Sequence, residues 1–189
     1  MPNLSKYIFF VALLFSVIAL PVFSQPKVQF NFSDKDKAMA HYNIGVNFAK
    51  RDQLEKAIIE FEKSSLLDPD NFDVHYNIGV AYAKLGDLEQ AAKAYSVALT
   101  KKPEDAFTHY NLAVTLSTLN RNDEAEQHYL KAIEYKSDLA EARANLAMIY
   151  LHKGEKEKFQ EQLVEIEKIN PDVAKMVKEA SQPSAGKPQ

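Results

Sequence analysis

The sequence His41-Tyr42-Asn43-Ile44-Gly45-Val46 returns unchanged at residues 75–80. A third copy, with Leu112 and Ala113 in place of the isoleucine and the glycine, occupies residues 109–114, and a more divergent fourth copy occupies residues 143–148. Each copy begins 34 residues after the one before it. A fixed period of this length is typical of a protein built as a stacked array of small units.

Large and small residues recur at fixed positions of each unit. Numbering the positions from 1 to 34 gives four units, which are residues 38–71, 72–105, 106–139 and 140–173. Side chains at positions 4, 7, 8 and 11 share one face of a helix, because one turn contains three to four residues. In the first unit these side chains belong to His41, Ile44, Gly45 and Phe48. The small residue at position 8 predicts that a second helix approaches closely at this face.

Turn and cap residues divide each unit into two helices. Position 15 holds residue types that tolerate the left-handed conformation ending a helix, namely Asp52, Gly86, Asn120 and Gly154. The second helix carries alanine at position 20 and an aromatic residue at position 24 in the first three units. Expected N-cap residues precede the helices at Ser33, Asn71, Asp105, Asp138 and Asn170. In the fourth unit Phe159 replaces the alanine, and overpacking costs about 1–3 kcal/mol unless neighbouring side chains adjust.

This pattern resembles the tetratricopeptide repeat, whose characteristic residues fall at positions 4, 7, 8, 11, 20, 24, 27 and 32. The resemblance covers residues 38–173 and implies an all-α fold, a right-handed α-solenoid of four helix-turn-helix hairpins. We expect residues 171–180 to form a C-terminal capping helix, because a stacked array needs a polar-backed helix over its last apolar face. Residues 181–189 are rich in Ser, Pro, Gly and Lys and are expected to form a disordered tail.

Composition and spacing exclude several classes of function. The formal charge of −3 has the wrong sign for a nucleic-acid-binding surface, and the absence of cysteine excludes disulfides, thiolate zinc sites and thiol catalysis. We expect no metal and no cofactor, because His41, His75 and His109 recur once per unit and cannot converge on one ion. They are expected to pack against the second helix, and His128 and His152 have no partner at ligand spacing. We find no phosphate-binding loop or nucleophile motif and expect no enzyme activity.

The N-terminus has the three parts of a secretory signal. Lys6 precedes an apolar run from Tyr7 to Leu20, and Ser24 supplies a small residue before the expected cleavage. We predict a signal peptide over residues 1–24, a leader over 25–37, and a mature chain in the periplasm or outside the cell, without an integral membrane segment. The alternative is an uncleaved membrane anchor, although the run is shorter than the roughly 20 residues that span a bilayer.

The opposite face of each first helix is the candidate binding surface, because in proteins with this repeat it lines a concave groove. Its predicted peptide-binding residues are Tyr42, Tyr76 and Tyr110 at position 5, Asn43, Asn77, Asn111 and Asn145 at position 6, Val46, Val80 and Val114 at position 9, and Lys50 and Lys84 at position 13. An amide offers a donor and an acceptor and can pair with one peptide unit of an extended chain. This column resembles the asparagine ladder by which some members of the repeat family hold peptides.

The sequence therefore predicts an exported protein–protein interaction module that binds an extended peptide and serves as an adaptor in envelope or secretion machinery. Two alternatives stay open. The asparagines could serve the scaffold by capping neighbouring turns, and the array could act as a spacer or self-associate through its outer surface or its ends.

Overall fold

A computed structural model of the chain describes residues 32–182, which form nine helices and no strand. The helices are α1 (Asp34–Lys50), α2 (Leu54–Leu67), α3 (Phe72–Leu85), α4 (Leu88–Lys101), α5 (Ala106–Thr118), α6 (Asn122–Tyr135), α7 (Ala140–Lys153), α8 (Lys156–Ile169) and α9 (Pro171–Ser181). The predicted signal peptide, most of the leader and most of the tail lie outside the described residues.

The helices pack in the order in which they follow one another along the chain. Each unit is a hairpin of two helices, and the second helix of one unit packs against the first helix of the next. The last helix, α9, packs against both helices of the fourth unit. The described residues thus form an all-α solenoid with a capping helix, as predicted, and the first helix starts at Asp34, inside the predicted leader.

The turn between the two helices of each unit has the predicted left-handed residue. The φ angles are 57° at Asp52, 82° at Gly86, 61° at Asn120 and 75° at Gly154. Aspartate and asparagine adopt this conformation more readily than other residues with a β-carbon. A residue at position 15 that tolerates a positive φ therefore ends the first helix at the same position of each unit.

Most of the predicted N-caps are present. Ser33 forms a capping box with Asp36, and the side chains of three further caps accept backbone N–H bonds. These three are Asn71, Asp105 and Asn170. The prediction for Asp138 is wrong. Leu139 occupies the N-cap of α7 without a side-chain bond, and the Asp138 carboxylate pairs with Lys136 at 2.9 Å.

Glycine at position 8 allows the two helices of a unit to touch. A β-carbon on Gly45 would lie 2.6 Å from the ring of Phe61, and one on Gly79 would lie 2.6 Å from the ring of Tyr95. Atoms at that distance overlap. The predicted close approach is confirmed, and the aromatic residue at position 24 fills the space that the glycine leaves.

The fourth unit buries Phe159 at the position where the first three units have alanine. Position 24, which is aromatic in the first three units, is the smaller Leu163 here. The two positions are four residues apart and lie on the same helix face. The smaller side chain at position 24 therefore offsets part of the volume that Phe159 adds.

One predicted core residue is exposed. Ile44 keeps 43% of its surface accessible, whereas the equivalent residues Ile78, Leu112 and Leu146 keep 8% or less. The later first helices each pack on the second helix of the unit before them. Within residues 32–182 α1 has no such predecessor, so the prediction that Ile44 is a packing residue is wrong.

Candidate functional site

The predicted binding residues form four columns, at positions 5, 6, 9 and 13 of the repeat, on helices α1, α3, α5 and α7. We call this surface the inner face. The tyrosines at position 5 and the valines at position 9 are half-buried, and so are the asparagines of the last three units. Asn43, Lys50 and Lys84 are exposed. The inner face is therefore open to solvent but is in contact with the scaffold along most of its length.

Each tyrosine ring leans on the aromatic residue of its own second helix. The ring centroids are 5.8 Å apart for Tyr42 and Phe61, 6.0 Å for Tyr76 and Tyr95, and 6.1 Å for Tyr110 and Tyr129. These distances are typical of favourable tilted aromatic pairs. The packing fixes the direction of each tyrosine hydroxyl.

The asparagine amides bind these hydroxyls. Asn77 Nδ2 donates to the hydroxyl of Tyr42 at 3.3 Å and to the backbone carbonyl of Asp73 at 2.8 Å, and Asn111 Nδ2 donates to the hydroxyl of Tyr76 at 3.1 Å. Each bond to tyrosine joins one unit to the next. The N–H groups of these amides therefore serve the scaffold, mainly by joining successive units, and both donors of Asn77 are in use.

The tyrosine–asparagine pairs still have unused hydrogen-bonding capacity. Within the described part of the chain, neither Asn77 Oδ1 nor Asn111 Oδ1 accepts a hydrogen bond, and the hydroxyls of Tyr42 and Tyr76 donate none. A hydroxyl that accepts a bond keeps a proton that it can donate. Each pair therefore offers one donor and one acceptor, contributed by two residues of successive units.

The ends of the asparagine column differ from its middle. Asn43 is exposed, and among the described residues no tyrosine precedes it in a neighbouring unit. Burial raises the pKa of Tyr110 and of Tyr129, and the neighbouring Asn145 amide opposes this effect at both hydroxyls. Burial also raises the pKa of Tyr42. Tyr42 and Tyr110 therefore stay protonated and able to donate.

Position 4 has a structural role that the sequence alone did not reveal. His75 Nε2 lies 2.9 Å from the backbone carbonyl of Pro69, and His109 Nε2 lies 2.9 Å from that of Pro103. Both prolines lie near the end of the preceding unit. At the same position of the fourth unit, Arg143 Nε donates to Ser137 O at 3.2 Å. In the first unit His41 Nδ1 lies 2.7 Å from Glu60 Oε2 on the second helix. The prediction that these histidines face the second helix is confirmed there and at His109.

His128 has a hydrogen-bonding partner that the search for metal-ligand spacing in the sequence did not identify. Its Nδ1 lies 2.9 Å from His109 Nδ1, and the rings are 5.2 Å apart. Burial and the neighbouring His109 lower the pKa of His128, and Glu124 opposes this effect. The signal that could have found the pair is the 19-residue spacing, which also joins His41 to Glu60 and Arg143 to Gln162. Within residues 32–182 no three His, Cys, Asp or Glu side chains come together as a metal site.

The inner face continues onto the capping helix. A cavity of about 330 Å³ opens between α7 and α9, and its lining is mostly apolar. The lining residues are Tyr110, Glu141, Ala144, Asn145, Met148, Val173, Met176, Val177 and Ala180. Asn145 and Tyr110 were predicted from the sequence, whereas the contribution of α9 was missed because its residues do not follow the 34-residue register.

Comparison with known families identifies the repeats. A family model described as TPR repeat matches residues 47–86. A model described as tetratricopeptide repeat matches residues 72–105, and a second model with that description matches residues 108–139 and again residues 140–173. No curated protein matches the sequence of the chain. Within residues 32–182, no helix combines the length and the apolar character needed to cross a membrane.

Solved structures share the fold. MamA has 20% sequence identity and a TM-score of 0.69, over 73% of this chain and 81% of MamA. YrrB, described as a TPR protein with an unusual peptide-binding site, has 25% identity and a TM-score of 0.68, over 75% of this chain and 74% of YrrB. The first TPR of Spaghetti (RPAP3), bound to the HSP90 peptide SRMEEVD, has 21% identity and a TM-score of 0.61, over 64% of this chain and 95% of that one.

Proposed function

The chain is a member of the tetratricopeptide-repeat family, and on that premise we propose that its inner face binds an extended peptide segment of a partner protein. The observation that carries the proposal is the pair formed by a tyrosine of one unit and the asparagine of the next. Both Tyr42–Asn77 and Tyr76–Asn111 keep a donor and an acceptor unused within the described residues.

The chemistry of these pairs suits a peptide backbone. One residue of an extended chain presents one N–H donor and one C=O acceptor on the same edge. The carbonyl of Asn111 accepts the N–H of such a residue, and the hydroxyl of Tyr76 donates to its C=O. The sequence prediction had one asparagine amide bind the peptide backbone, whereas here a tyrosine hydroxyl and an asparagine carbonyl share that role. The scaffold already holds both groups in place, so less conformational entropy is lost on binding.

The half-buried valines beside the pairs supply apolar contact for side chains of the peptide. Val80 and Val114 pack partly on the core and expose the remainder of their surface. Interfaces commonly combine an apolar, aromatic centre with a small number of oriented polar groups. Peptide binding by YrrB and by the first TPR of Spaghetti supports the assignment of this chain to protein interaction.

We place this interaction in the cell envelope or outside the cell, with the protein as an adaptor. The support is the basic residue, apolar run and small residue in the first 24 positions of the sequence. N-terminal sequencing of the protein from the envelope fraction tests the assignment and is expected to start at Gln25. Recovery of the chain in the cytoplasm with its first 24 residues intact would contradict export.

Peptide display followed by calorimetry tests binding at the inner face. Random peptides are selected on the purified protein, and the affinity of the best binder is measured for wild type, Tyr76→Phe and Tyr42→Phe. Each variant is expected to lose about 0.5–1.5 kcal/mol of binding free energy, the net value of one hydrogen bond. Tyr135→Phe is the matched control, because Tyr135 lies on a second helix and stacks on His109.

Two results would overturn the proposal. One is that no peptide is enriched. The other is that enriched peptides lose affinity with Tyr135→Phe and keep it with the two inner-face variants.

A second candidate function is self-association through the first unit of the described array. The exposure of Ile44 favours it, since the equivalent residues of later units are buried by a preceding helix. Sedimentation at increasing protein concentration distinguishes the two. A dimer that Ile44→Lys dissociates supports self-association, and a monomer at all concentrations excludes it.

A further inference from the structure

The step from the fourth unit to the capping helix breaks the tyrosine–asparagine pattern at both of its positions. Position 5 is Ala144, where the first three units have tyrosine. Asn77, Asn111 and Asn145 each lie six residues after the N-cap of their helix, and the residue six places after the N-cap of α9, Asn170, is Met176. The step from α7 to α9 therefore has alanine and methionine where the earlier steps have tyrosine and asparagine.

This replacement opens the cavity between α7 and α9. In the first three units the tyrosine ring occupies the space beside position 5 and contacts the aromatic residue of the second helix. At Ala144 no ring is present, so the space that a tyrosine would fill at position 5 is left open. The resulting cavity of about 330 Å³ has Tyr110, Met148 and Val177 in its walls. A volume near 300 Å³ is at the lower end of pockets that bind ligands.

The rim of the cavity specifies the charge of its occupant. Glu141 is the one ionisable carboxylate in the lining and is exposed, and within the described residues it forms no ion pair. On α9, Lys178 pairs instead with Glu167 of α8 and lines a different surface depression. A cationic side chain next to the cavity would therefore meet an unopposed carboxylate.

The walls favour an aromatic or a large aliphatic side chain. Met176 exposes 67% of its surface, and Met148 is half-buried on the opposite wall. Methionine is flexible, adapts to irregular shapes and makes favourable contacts with aromatic rings. Two methionines facing an empty ring-sized space suit a ligand that inserts a ring.

We propose that this cavity is a specificity pocket for one large apolar side chain, preferably aromatic, next to a lysine or arginine that pairs with Glu141. The inference rests on the proposed function, because it assigns a residue preference to the peptide bound on the inner face. The tyrosine–asparagine pairs hold the backbone whatever its sequence, and the α7–α9 pocket selects which segment is held.

Methionine methyl groups report on the pocket directly. The sequence has four methionines, of which Met148 and Met176 line the pocket and Met39 lies at the other end of the array. Protein labelled with methyl-¹³C methionine is titrated with a blocked hexapeptide Ser-Gly-Lys-Phe-Gly-Ser, up to about 10 mM because a single apolar anchor binds weakly. Saturable shifts of the Met148 and Met176 methyls are expected, while Met39 is the internal reference.

Matched peptides and variants test the two parts of the assignment. Replacing phenylalanine by alanine in the peptide is expected to abolish the shifts, because no ring is left to enter the pocket. Ala144→Tyr in the protein is expected to do the same, because its own ring would fill the pocket. Glu141→Lys is expected to weaken the lysine-containing peptide about two- to fivefold, the range of an exposed ion pair. The same Glu141→Lys variant should bind more tightly a peptide that has glutamate in place of lysine. Asp73→Lys, at the same position of the second unit, is the control. Circular dichroism verifies that each variant is folded.

The outcomes separate the pocket from the inner face. Failure of the phenylalanine peptide to shift Met148 and Met176 overturns the pocket, and so does binding that Ala144→Tyr leaves intact. If peptides selected by display still bind at Tyr42 and Tyr76 in that case, the proposed function stands without the pocket. If no peptide binds anywhere on the protein, both are wrong.

Discussion

The side-chain amide of Asn111 donates a hydrogen bond of 3.1 Å to the hydroxyl of Tyr76, which lies 35 residues earlier in the chain and in the preceding unit. The bond between Asn77 and Tyr42 repeats this relationship one unit earlier. Asparagine and tyrosine are neighbours in the first three copies of the repeated hexapeptide, yet in each bond the two partners come from different copies. The same two columns thus stabilise the stack and provide the polar groups of the inner face.

Asn111→Ala is expected to lower the free energy of unfolding by about 0.5–1.5 kcal/mol, because it removes the bond to Tyr76. Urea denaturation measures the change. Asn43→Ala is the matched control, since Asn43 is exposed and has no tyrosine partner within the described residues. In a double-mutant cycle Asn111→Ala and Tyr76→Phe should be non-additive. Equal stability of the Asn43 and Asn111 variants would refute the inter-unit bond.

Gly45→Ala is expected to destabilise the first unit, because its β-carbon would lie 2.6 Å from the ring of Phe61. Overpacking costs about 1–3 kcal/mol, and the better helix propensity of alanine returns up to about 1 kcal/mol. The net loss is measured by thermal unfolding. Adding Phe61→Leu should recover part of it by relieving the overlap. An increase in melting temperature for Gly45→Ala alone would show that the ring moves aside at no cost.

The His109–His128 pair is expected to make stability depend on pH. The pKa of His128 is below its ordinary value of 6.5 in the folded chain, owing to burial and to His109. The unfolded chain then binds more protons than the native chain below pH 6.5, so stability rises with pH. The contribution of His128 is present above pH 6.5 and is lost as the pH falls through the lower folded pKa.

Chemical denaturation at pH values from 5 to 7 measures this dependence. His128→Gln should flatten the profile, because the group that takes up the proton on unfolding is gone. His152→Gln is the control, since His152 is exposed at the end of α7. A profile of unchanged slope in His128→Gln would assign the pH dependence to other groups.

Val177→Asp is expected to destabilise the C-terminal end of the array by at least about 2 kcal/mol, because a charge would be buried without a partner. Val177 is 5% exposed, whereas the adjacent Met176 is 67% exposed. Met176→Asp should therefore change the unfolding free energy little. Hydrogen exchange of α8 and α9 locates the effect. Similar protection in the two variants would argue that α9 does not cap the solenoid.

Local features of the fold could be predicted from the residues that carry them. The left-handed turn at Asp52 and the N-cap at Asn71 depend on the chemistry of one residue and its nearest neighbours. The close contact at Gly79 follows from a small residue at a fixed position opposite an aromatic one. Asp138 was mispredicted because the cap of α7 lies one residue later, where Leu139 has no group that can accept a bond.

Features that depend on contacts between units could not be predicted in the same way. The exposure of Ile44 follows from its place in the first unit and not from its residue type or position within the unit. The partner of His128 lies on another helix at a distance that the sequence does not state. For the candidate site, the sequence predicted the columns of the inner face, but neither the bonds of the amides nor the contribution of α9.

By itself the sequence determined the repeat, the two helices of each unit, the turns between them and the identity of the inner-face columns, since all of these depend on spacing within about one unit. Only the tertiary structure decided that Asn77 and Asn111 bind tyrosines of the preceding unit, and that Ala144 and Met176 border a pocket. The physical reason is that helix periodicity fixes the face on which a side chain lies. The rotation and stacking of whole units fix what that side chain touches.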